Sequence, residues 1–164
     1  MLVLGIDPGS TTTGYGLVRE EGARLTAVAF GAIGTRSALP FPQRLRQIFE
    51  ALRGLMAGHR PDAAAVEGVF FARNVQSAIK LGQARGAALL AAAVEGVPVF
   101  EYAPRQVKGA VSGYGGAEKA QVQAMVKDLL SLAEPPEPAD AADALALAIC
   151  HHHAAGARGR LVRV

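Results

Sequence analysis

The sequence predicts one α/β domain, residues 1–164, built on a five-stranded mixed sheet flanked by helices. Three observations indicate this class. Three apolar runs near the N-terminus are separated only by turn residues, which favours consecutive antiparallel strands. Two later apolar runs alternate with stretches of helical periodicity, which is typical of parallel strands joined by helices. A chain of 164 residues that is 51% hydrophobic has the size and core of a single domain.

The first three strands are expected in the N-terminal segment. The first is the apolar run LVLGID at residues 2–7, and the next two contain YGLVRE at 15–20 and RLTAVAFGAIG at 24–34. The linking segments PGSTTTG and EEGA are rich in residues that favour tight turns. These turns let each strand return antiparallel to the one before it.

Helices and strands then alternate. From Pro42 to Gly58 apolar residues recur at helical spacing, which predicts a helix that covers the sheet. The segment DAAAVEG at 62–68 predicts a fourth strand, and RNVQSAIKLGQARGAALLAAAVEG at 73–96 predicts a long helix. Because its second half is apolar on more than one face, we expect that helix to be buried on two sides.

The C-terminal part predicts one more strand and three helices. VPVFEY at 97–102 is the fifth strand, PRQVKGAVSG at 104–113 is a short helix that begins with proline, and AEKAQVQAMVKDLLSL at 117–132 is a further helix. The spacer AEPPEP interrupts regular structure. The final helix is expected in ADAADALALAICHHHAAG and should stop by Gly156.

Composition excludes several classes of protein. No apolar stretch approaches the roughly 20 residues that span a bilayer, and no leader pattern is recognisable, so a cytoplasmic protein without a membrane partner is expected. The single cysteine, Cys150, lies in the apolar run ALALAIC, which favours a buried, inert thiol. A net charge of +3 and a pI near 9.4 are compatible with a polyanionic partner.

Two acids end two of the predicted strands beside small residues. Strand alternation places Gly5 and Asp7 on one face of the first strand, and Ala65 and Glu67 on one face of the fourth. A single strand-end acid usually just faces solvent. The repetition of the pattern favours a site instead, and we expect Gly5 to leave room there for a metal ion and a phosphate.

The last helix adds two more acids, Asp140 and Asp143, which are three residues apart and share one helix face. Helix capping accounts for one acid better than for two. Four converging carboxylates would repel each other, and a divalent cation that prefers oxygen, Mg²⁺ or Mn²⁺, would relieve that repulsion. Zinc is disfavoured because residues 151–153 are consecutive histidines, which point apart on a helix. These histidines are expected to complement the helix C-terminus, although one of them could reach the site.

Four segments carry a family resemblance: GIDPGSTTTGYG, VEGVFFARNVQSAIKLGQARG, GYGGAEKAQVQAMV and PADAADALALAICH. In this order and at these separations they resemble the RuvC family of Holliday junction resolvases over nearly the whole chain. The resemblance implies an RNase H-like fold and a homodimer that nicks two opposing strands of a four-way DNA junction during recombination and repair. It also implies the branch-migration proteins RuvA and RuvB as partners.

The resemblance also implies roles for individual residues. Asp7, Glu67, Asp140 and Asp143 would form the active site. Two metal ions suit phosphodiester hydrolysis there, and we assign Asp7 as the ligand that bridges them. Lys119 and Lys108 would bind phosphate or neutralise transition-state charge, although either could be a solvated surface lysine. One of Phe70 and Phe71 would stack on unpaired bases at the junction crossover. The alternative is that this phenylalanine packs against the next helix. Arg73 could pair with a DNA phosphate. Gly82 and Gly86 permit close approach of another backbone, in the core or in a second subunit.

Three rival functions remain at this level. An actin-like or sugar-kinase ATPase has a similar first hairpin, but it closes two related domains over its nucleotide, and this chain predicts one. A RuvC-like nuclease could act on structured RNA instead of DNA. A non-catalytic protein could bind junctions without cutting them, although the intact set of four acids argues against that.

Overall fold

A computed structural model describes residues 1–68 and 74–156. The elements follow the predicted order. They are β1 (Leu2–Asp7), β2 (Thr12–Glu21), β3 (Arg24–Gly34), α1 (Phe41–His59), β4 (Ala63–Glu67), α2 (Val75–Val94), β5 (Val99–Tyr102), α3 (Pro104–Ser112), α4 (Lys119–Leu129) and α5 (Ala139–Gly156). In the described ranges, none of the helices is both long and apolar enough to cross a lipid bilayer.

The five strands form one mixed sheet in the order β3-β2-β1-β4-β5. Strands β1, β2 and β3 are antiparallel neighbours, whereas β4 runs parallel to β1 and β5 runs parallel to β4. Ile6 of β1 pairs with Val66 of β4. The residues that follow this pair, Asp7 and Glu67, therefore end two neighbouring parallel strands at the same edge of the sheet. The predicted mixed sheet is confirmed.

Helices cover both faces of the sheet. One buried cluster joins alternate residues of β1 and β4, such as Leu4 and Val66, to α1 and α2. The other joins the opposite faces of the same strands, including Val3 and Ala65, to α3, α4 and α5. Helix α5 is almost wholly apolar and buried between residues 141 and 152, so it forms the centre of the second layer.

The expectation that Gly5 leaves room for metal and phosphate is wrong. A Cβ atom at residue 5 would lie 1.8 Å from the carbonyl oxygen of Ala144 in α5. A Cβ at Gly14 would lie 2.0 Å from the carbonyl oxygen of Asp140, and one at Gly16 would lie 2.7 Å from the Leu145 side chain. The glycines of β1 and β2 therefore let α5 pack directly on the backbone of the sheet.

The histidines of α5 also differ from expectation, because two of them belong to the core. His151 is 2% exposed, and its Nδ1 lies 2.8 Å from the hydroxyl oxygen of Tyr102. His152 is also 2% exposed, with Nε2 3.0 Å from the carbonyl oxygen of Val18. Burial lowers the pKa of His151, so its imidazole is kept neutral. Each ring makes one hydrogen bond inside the protein and does not serve the helix terminus.

The neighbouring cysteine behaves as expected. Cys150 is buried, and burial raises the pKa of its thiol to about 11. Since the thiolate is the nucleophilic form, a thiol with this pKa is inert near neutral pH.

The expectation that helix α2 is buried on two sides is met within this chain on one side only. Ala84, Ala88 and the neighbouring Ala91 and Ala92 pack on the sheet and α1. A second apolar stripe is exposed and consists of Val75, Ile79, Gly82, Gly86, Leu90 and Val94. No atom of the described residues lies within 4 Å of a Cβ built on Gly82 or Gly86, so these glycines serve no contact inside the described fold.

Candidate active site

Two strand ends and one helix bring the four predicted acids to one place. Asp7 and Glu67 end β1 and β4 at the same edge of the sheet. Helix α5 begins beside them, because Gly14, the residue paired with Asp7, lies against the backbone of Asp140. One turn further along α5, Asp143 faces the same edge. The glycines of β1 and β2 let α5 pack close to the sheet, and this close packing determines where Asp140 and Asp143 lie.

A cleft of about 240 Å³ opens at this edge. Its polar lining combines three of the acids with two lysines: Asp7, Glu67, Asp143, Lys108 and Lys119. Apolar side chains from α3, α4 and α5 form the rest of the wall, among them Val107, Val122 and Leu147. Asp140 is close enough to raise the pKa of Asp7, but it does not line this cleft.

The acids strongly perturb one another. Burial is the largest cause of a rise in the pKa of Asp7 from 3.8 to about 7. The charges of Asp143, Glu67 and Asp140 add to that rise in this order. The pKa of Glu67 is raised as well, first by burial and then by Asp143. Partly buried carboxylates that repel each other are a common feature of catalytic and cation-binding sites.

Lys119 is the cation that balances this cluster in the structure. Its Nζ donates a hydrogen bond of 2.6 Å to Oδ2 of Asp143. This hydrogen bond is the main reason that the pKa of the Lys119 ammonium lies above its ordinary value. The same ammonium lowers the pKa of Asp7 and of Glu67, so its charge acts on acids from all three elements.

Lys108 plays a smaller part. It lies on α3, lines the cleft and lowers the pKa of Glu67. The solvated-surface alternative for Lys108 and Lys119 is therefore disfavoured by their position at the cleft.

The donor set suits a hard divalent cation. All four acids offer oxygen atoms, which Mg²⁺ and Mn²⁺ prefer. Among residues 1–68 and 74–156, no three carboxylate, imidazole or thiol groups converge tightly enough to ligate one ion as the side chains stand. The fit rests on the clustered negative charge, since the repulsion that raises the pKa of Asp7 is what a divalent ion would relieve.

Three predicted DNA-contacting residues, Phe70, Phe71 and Arg73, lie outside the described residues. The segment that holds them follows Glu67 and Gly68 directly and precedes Asn74. Asn74 caps α2, because its side-chain oxygen accepts a hydrogen bond of 3.2 Å from the backbone N–H of Ser77.

Sequence reasoning missed two arginines beside the site. Arg44 of α1 donates to the carbonyl oxygen of Ser10 at 2.5 Å and to the hydroxyl of Thr35 at 3.0 Å, so it holds the turn that follows Asp7. Its only sequence signal is a position off the apolar stripe of α1. The second is Arg85 of α2, within the motif LGQARG, which binds Glu101 and the backbone of Glu67.

Comparison with known proteins supplies the family. The family described as "Crossover junction endodeoxyribonuclease RuvC" matches residues 3–151. Proteins with that description from Citrifermentans bemidjiense and Brevibacillus brevis are 58% and 55% identical to this chain. The first alignment covers 95% of this chain and 94% of the relative, and the second covers 92% and 91%.

Solved structures agree. RuvC from T. thermophilus, determined in complex with a Holliday junction substrate, matches with a TM-score of 0.91 and 38% identity over 100% of both chains. The yeast mitochondrial Holliday junction resolvase Ydc2 matches with a TM-score of 0.66 over 90% of this chain and 76% of the other. At 15% identity this second match supports the fold alone.

The fold that the resemblance implied, an RNase H-like mixed sheet, is confirmed by these matches. The profile match spans the ends of β1 and β4 and all four acids of the cluster. The chain belongs to the RuvC family of crossover junction endodeoxyribonucleases.

Proposed function

We propose that this protein resolves four-way DNA junctions by metal-dependent nicking of two opposing strands. Membership of the RuvC family supports the nuclease activity, and the junction complex of the T. thermophilus relative supports the substrate. The observation that carries the proposal is the cleft in which the acids of β1, β4 and α5 meet two lysines. This combination favours a working nuclease over a junction-binding protein without activity.

We assign the four acids to metal binding. Asp7 is central, because all three other acids raise its pKa, and it is therefore our choice for a ligand shared by two ions. Two bound divalent ions would activate a water molecule and stabilise the leaving alkoxide of a phosphodiester. Mg²⁺ is the expected ion, and Mn²⁺ is expected to substitute, because both accept carboxylate ligands.

The lysines are proposed to act on the DNA backbone. Lys119, at the start of α4, and Lys108, on α3, would bind the phosphate that enters the cleft and balance its developing charge. Arg73 would contact phosphate nearby, and Phe70 or Phe71 would stack on unpaired bases at the crossover. Phe70→Ala and Phe71→Ala should then reduce junction cleavage far more than they reduce the melting temperature.

The substrate class can be tested directly. With Mg²⁺ we expect symmetric nicks in two opposing strands of a synthetic four-way DNA junction, and cleavage of linear duplex of the same sequence should be slower by about tenfold or more. A structured RNA of matching shape serves as the third substrate. Preferential RNA cleavage would support the RNA-nuclease alternative, and binding without any cleavage would support the non-catalytic one.

Lys119→Met should separate metal binding from cleavage. Removing the ammonium frees Asp143 and leaves the acids less balanced, so Mn²⁺ should bind a few-fold more tightly in an electron paramagnetic resonance titration. Junction nicking should nevertheless fall by about 100-fold, because a phosphate-stabilising charge is lost. Lys127→Met, at the other end of α4, is the matched control. If Lys119→Met nicks junctions as fast as wild type, Lys119 balances the acids of the free protein but does not stabilise the phosphate during cleavage.

We also propose a homodimer, with the exposed stripe of α2 in its interface. A twofold axis would present two clefts to the two strands that are cut. Ile79 and Leu90 are each 56% exposed, and Gly82 and Gly86 allow a second backbone to approach between them. An apolar face of this length on a single chain is typical of a protein interface.

Leu90→Glu should convert the dimer to a monomer in sedimentation equilibrium and uncouple the paired nicks. Val28→Glu is the control, because Val28 is an exposed apolar residue of β3, outside α2. A wild-type protein that is monomeric while it cleaves junctions symmetrically would contradict the proposal.

RuvA and RuvB remain the expected partners, and the cytoplasm remains the expected location.

A further inference from the structure

Arg85 of α2 is a largely buried cation that reaches two strands. Its Nη2 donates to Oε2 of Glu101 at 2.5 Å, and its Nε donates to the backbone carbonyl oxygen of Glu67 at 3.4 Å. The side chains of Arg85 and Glu101 are only 14% and 31% exposed. A buried guanidinium has lost most of its hydration, so its remaining partners determine where it lies.

The pair lies on the α2 face of the sheet, opposite the cleft, where Arg85 also lines a small second pocket with Asp7 and Glu67. Tyr102 of β5 points toward α5, where its hydroxyl meets His151, so strand alternation turns Glu101 toward α2. On β4, Glu67 shares its face with Ala65, which packs in the cluster with α5. Arg85 therefore holds the backbone of Glu67 from one side while the Glu67 carboxylate faces the cleft on the other.

Among the described residues, the end of β4 is held to the sheet on its β5 side. Pairing between β1 and β4 ends at Ile6 and Val66, whereas Glu67 pairs with Tyr102 of β5, and the N–H of Gly68 donates to the Tyr102 carbonyl oxygen at 2.9 Å. The Glu101 carboxylate also covers Gly68, because a Cβ built there would lie 2.9 Å from Oε1 of Glu101. The contacts of Arg85 and Glu101 thus add to the β5 pairing at the point where β4 has lost its pairing with β1.

We propose that Arg85 and Glu101 are positioning residues that fix the backbone of Glu67 and thereby increase the affinity of the cleft for divalent cations. The inference rests on the proposed function, in which Glu67 is a metal ligand. Residues behind a metal ligand typically change metal affinity or activity by about 10- to 100-fold when they are replaced. Arginine suits this position because its fork donates to Glu101 and to the Glu67 carbonyl from two separate nitrogens, whereas the three donors of a lysine ammonium all lie on one compact nitrogen.

The test is Mn²⁺ titration of the metal-free protein by electron paramagnetic resonance, without DNA. Arg85→Met should weaken Mn²⁺ binding by about 10-fold. Arg85→Lys keeps the ion pair with Glu101 and should weaken Mn²⁺ binding by about threefold. This variant keeps the test valid if Arg85→Met fails to fold. Adding Glu101→Gln to Arg85→Met should cause no further loss, because the two residues act as one unit.

Two controls make the result specific. Arg53→Met breaks another arginine–glutamate pair, to Glu95 at 2.7 Å, away from the cleft, and should leave Mn²⁺ affinity unchanged. Glu67→Gln should remove most of the binding. If Arg85→Lys and Arg85→Met bind Mn²⁺ as well as Arg53→Met does while Glu67→Gln does not, the positioning role is refuted. If Glu67→Gln binds as wild type does, the metal assignment fails and the positioning role fails with it.

Discussion

Asp7→Asn should reduce Mg²⁺-dependent nicking of a four-way junction by about 1,000-fold or more while the protein stays folded. Asparagine keeps the size of the side chain but removes a negative charge from the centre of the acid cluster. Junction affinity without metal should persist or increase, because one fewer negative charge then faces the DNA phosphates. Single-turnover cleavage and gel-shift affinity, measured on the same preparation, check both expectations.

The same substitution should stabilise the metal-free protein in a pH-dependent way. The folded-state pKa of Asp7 is raised from 3.8 to about 7, so ionisation opposes folding above that range. The rise corresponds to a ceiling of about 4 kcal/mol, which solvent at this partly exposed site reduces to about 1 to 2 kcal/mol. The gain should be complete above about pH 7 and disappear as the pH falls below about 4.

Asp128→Asn, an exposed acid of α4, is the control for both measurements and should change neither nicking nor stability at pH 8. Near-normal nicking by folded Asp7→Asn protein would refute the metal assignment. A stability that is equal to wild type at pH 8 would show that neither burial nor the other acids penalise the ionised Asp7 carboxylate in the metal-free fold.

Gly5→Ala should be the most damaging small substitution in the sheet, with a loss of about 3 kcal/mol or more in the free energy of unfolding. The new methyl carbon would fall 1.8 Å from the carbonyl oxygen of Ala144, so α5 must shift away from β1. Because Asp140 and Asp143 lie on α5, cleavage by the protein that still folds should also drop. Urea denaturation and junction nicking measure the two effects.

Gly54→Ala is the matched control. Gly54 lies within α1, and no described atom is within 4 Å of a Cβ placed on it. Alanine there should stabilise the protein by about 0.5 to 1 kcal/mol through helix propensity alone. If Gly5→Ala unfolds at the same urea concentration as wild type, α5 does not rest on the β1 backbone as described.

Much of the fold and of the site follows from local patterns. The apolar runs LVLGID and VPVFEY predict β1 and β5, and the periodicity of residues 42–58 predicts α1 to within a residue at each end. The acids could be found because two of them end apolar strands beside small residues, and the other two share one face near the start of an apolar helix. Residue order along the chain is enough for these conclusions, since strand and helix periods depend on neighbours only.

Other features depend on partners that are distant in sequence. The gap at Gly5 looks like open space from β1 alone, but Ala144 fills it. His151 looks like a helix-terminal charge until Tyr102 is found beside it in the core. Arg85 and Glu101 carry no local signal that they meet, because α2 and β5 must first pack on the same face of the sheet.

The sequence by itself determined the elements, their order, the family and the identity of the four acids, because periodicity and motif spacing are properties of the linear chain. Only the tertiary structure decided that the strand glycines receive α5, that Lys119 neutralises the acid cluster, and that Arg85 holds Glu67 from behind. The physical reason is that close packing and charge pairing act over a few ångströms in space. Residues as far apart in sequence as Gly5 and Ala144 come within that range only when the sheet and its helices have assembled.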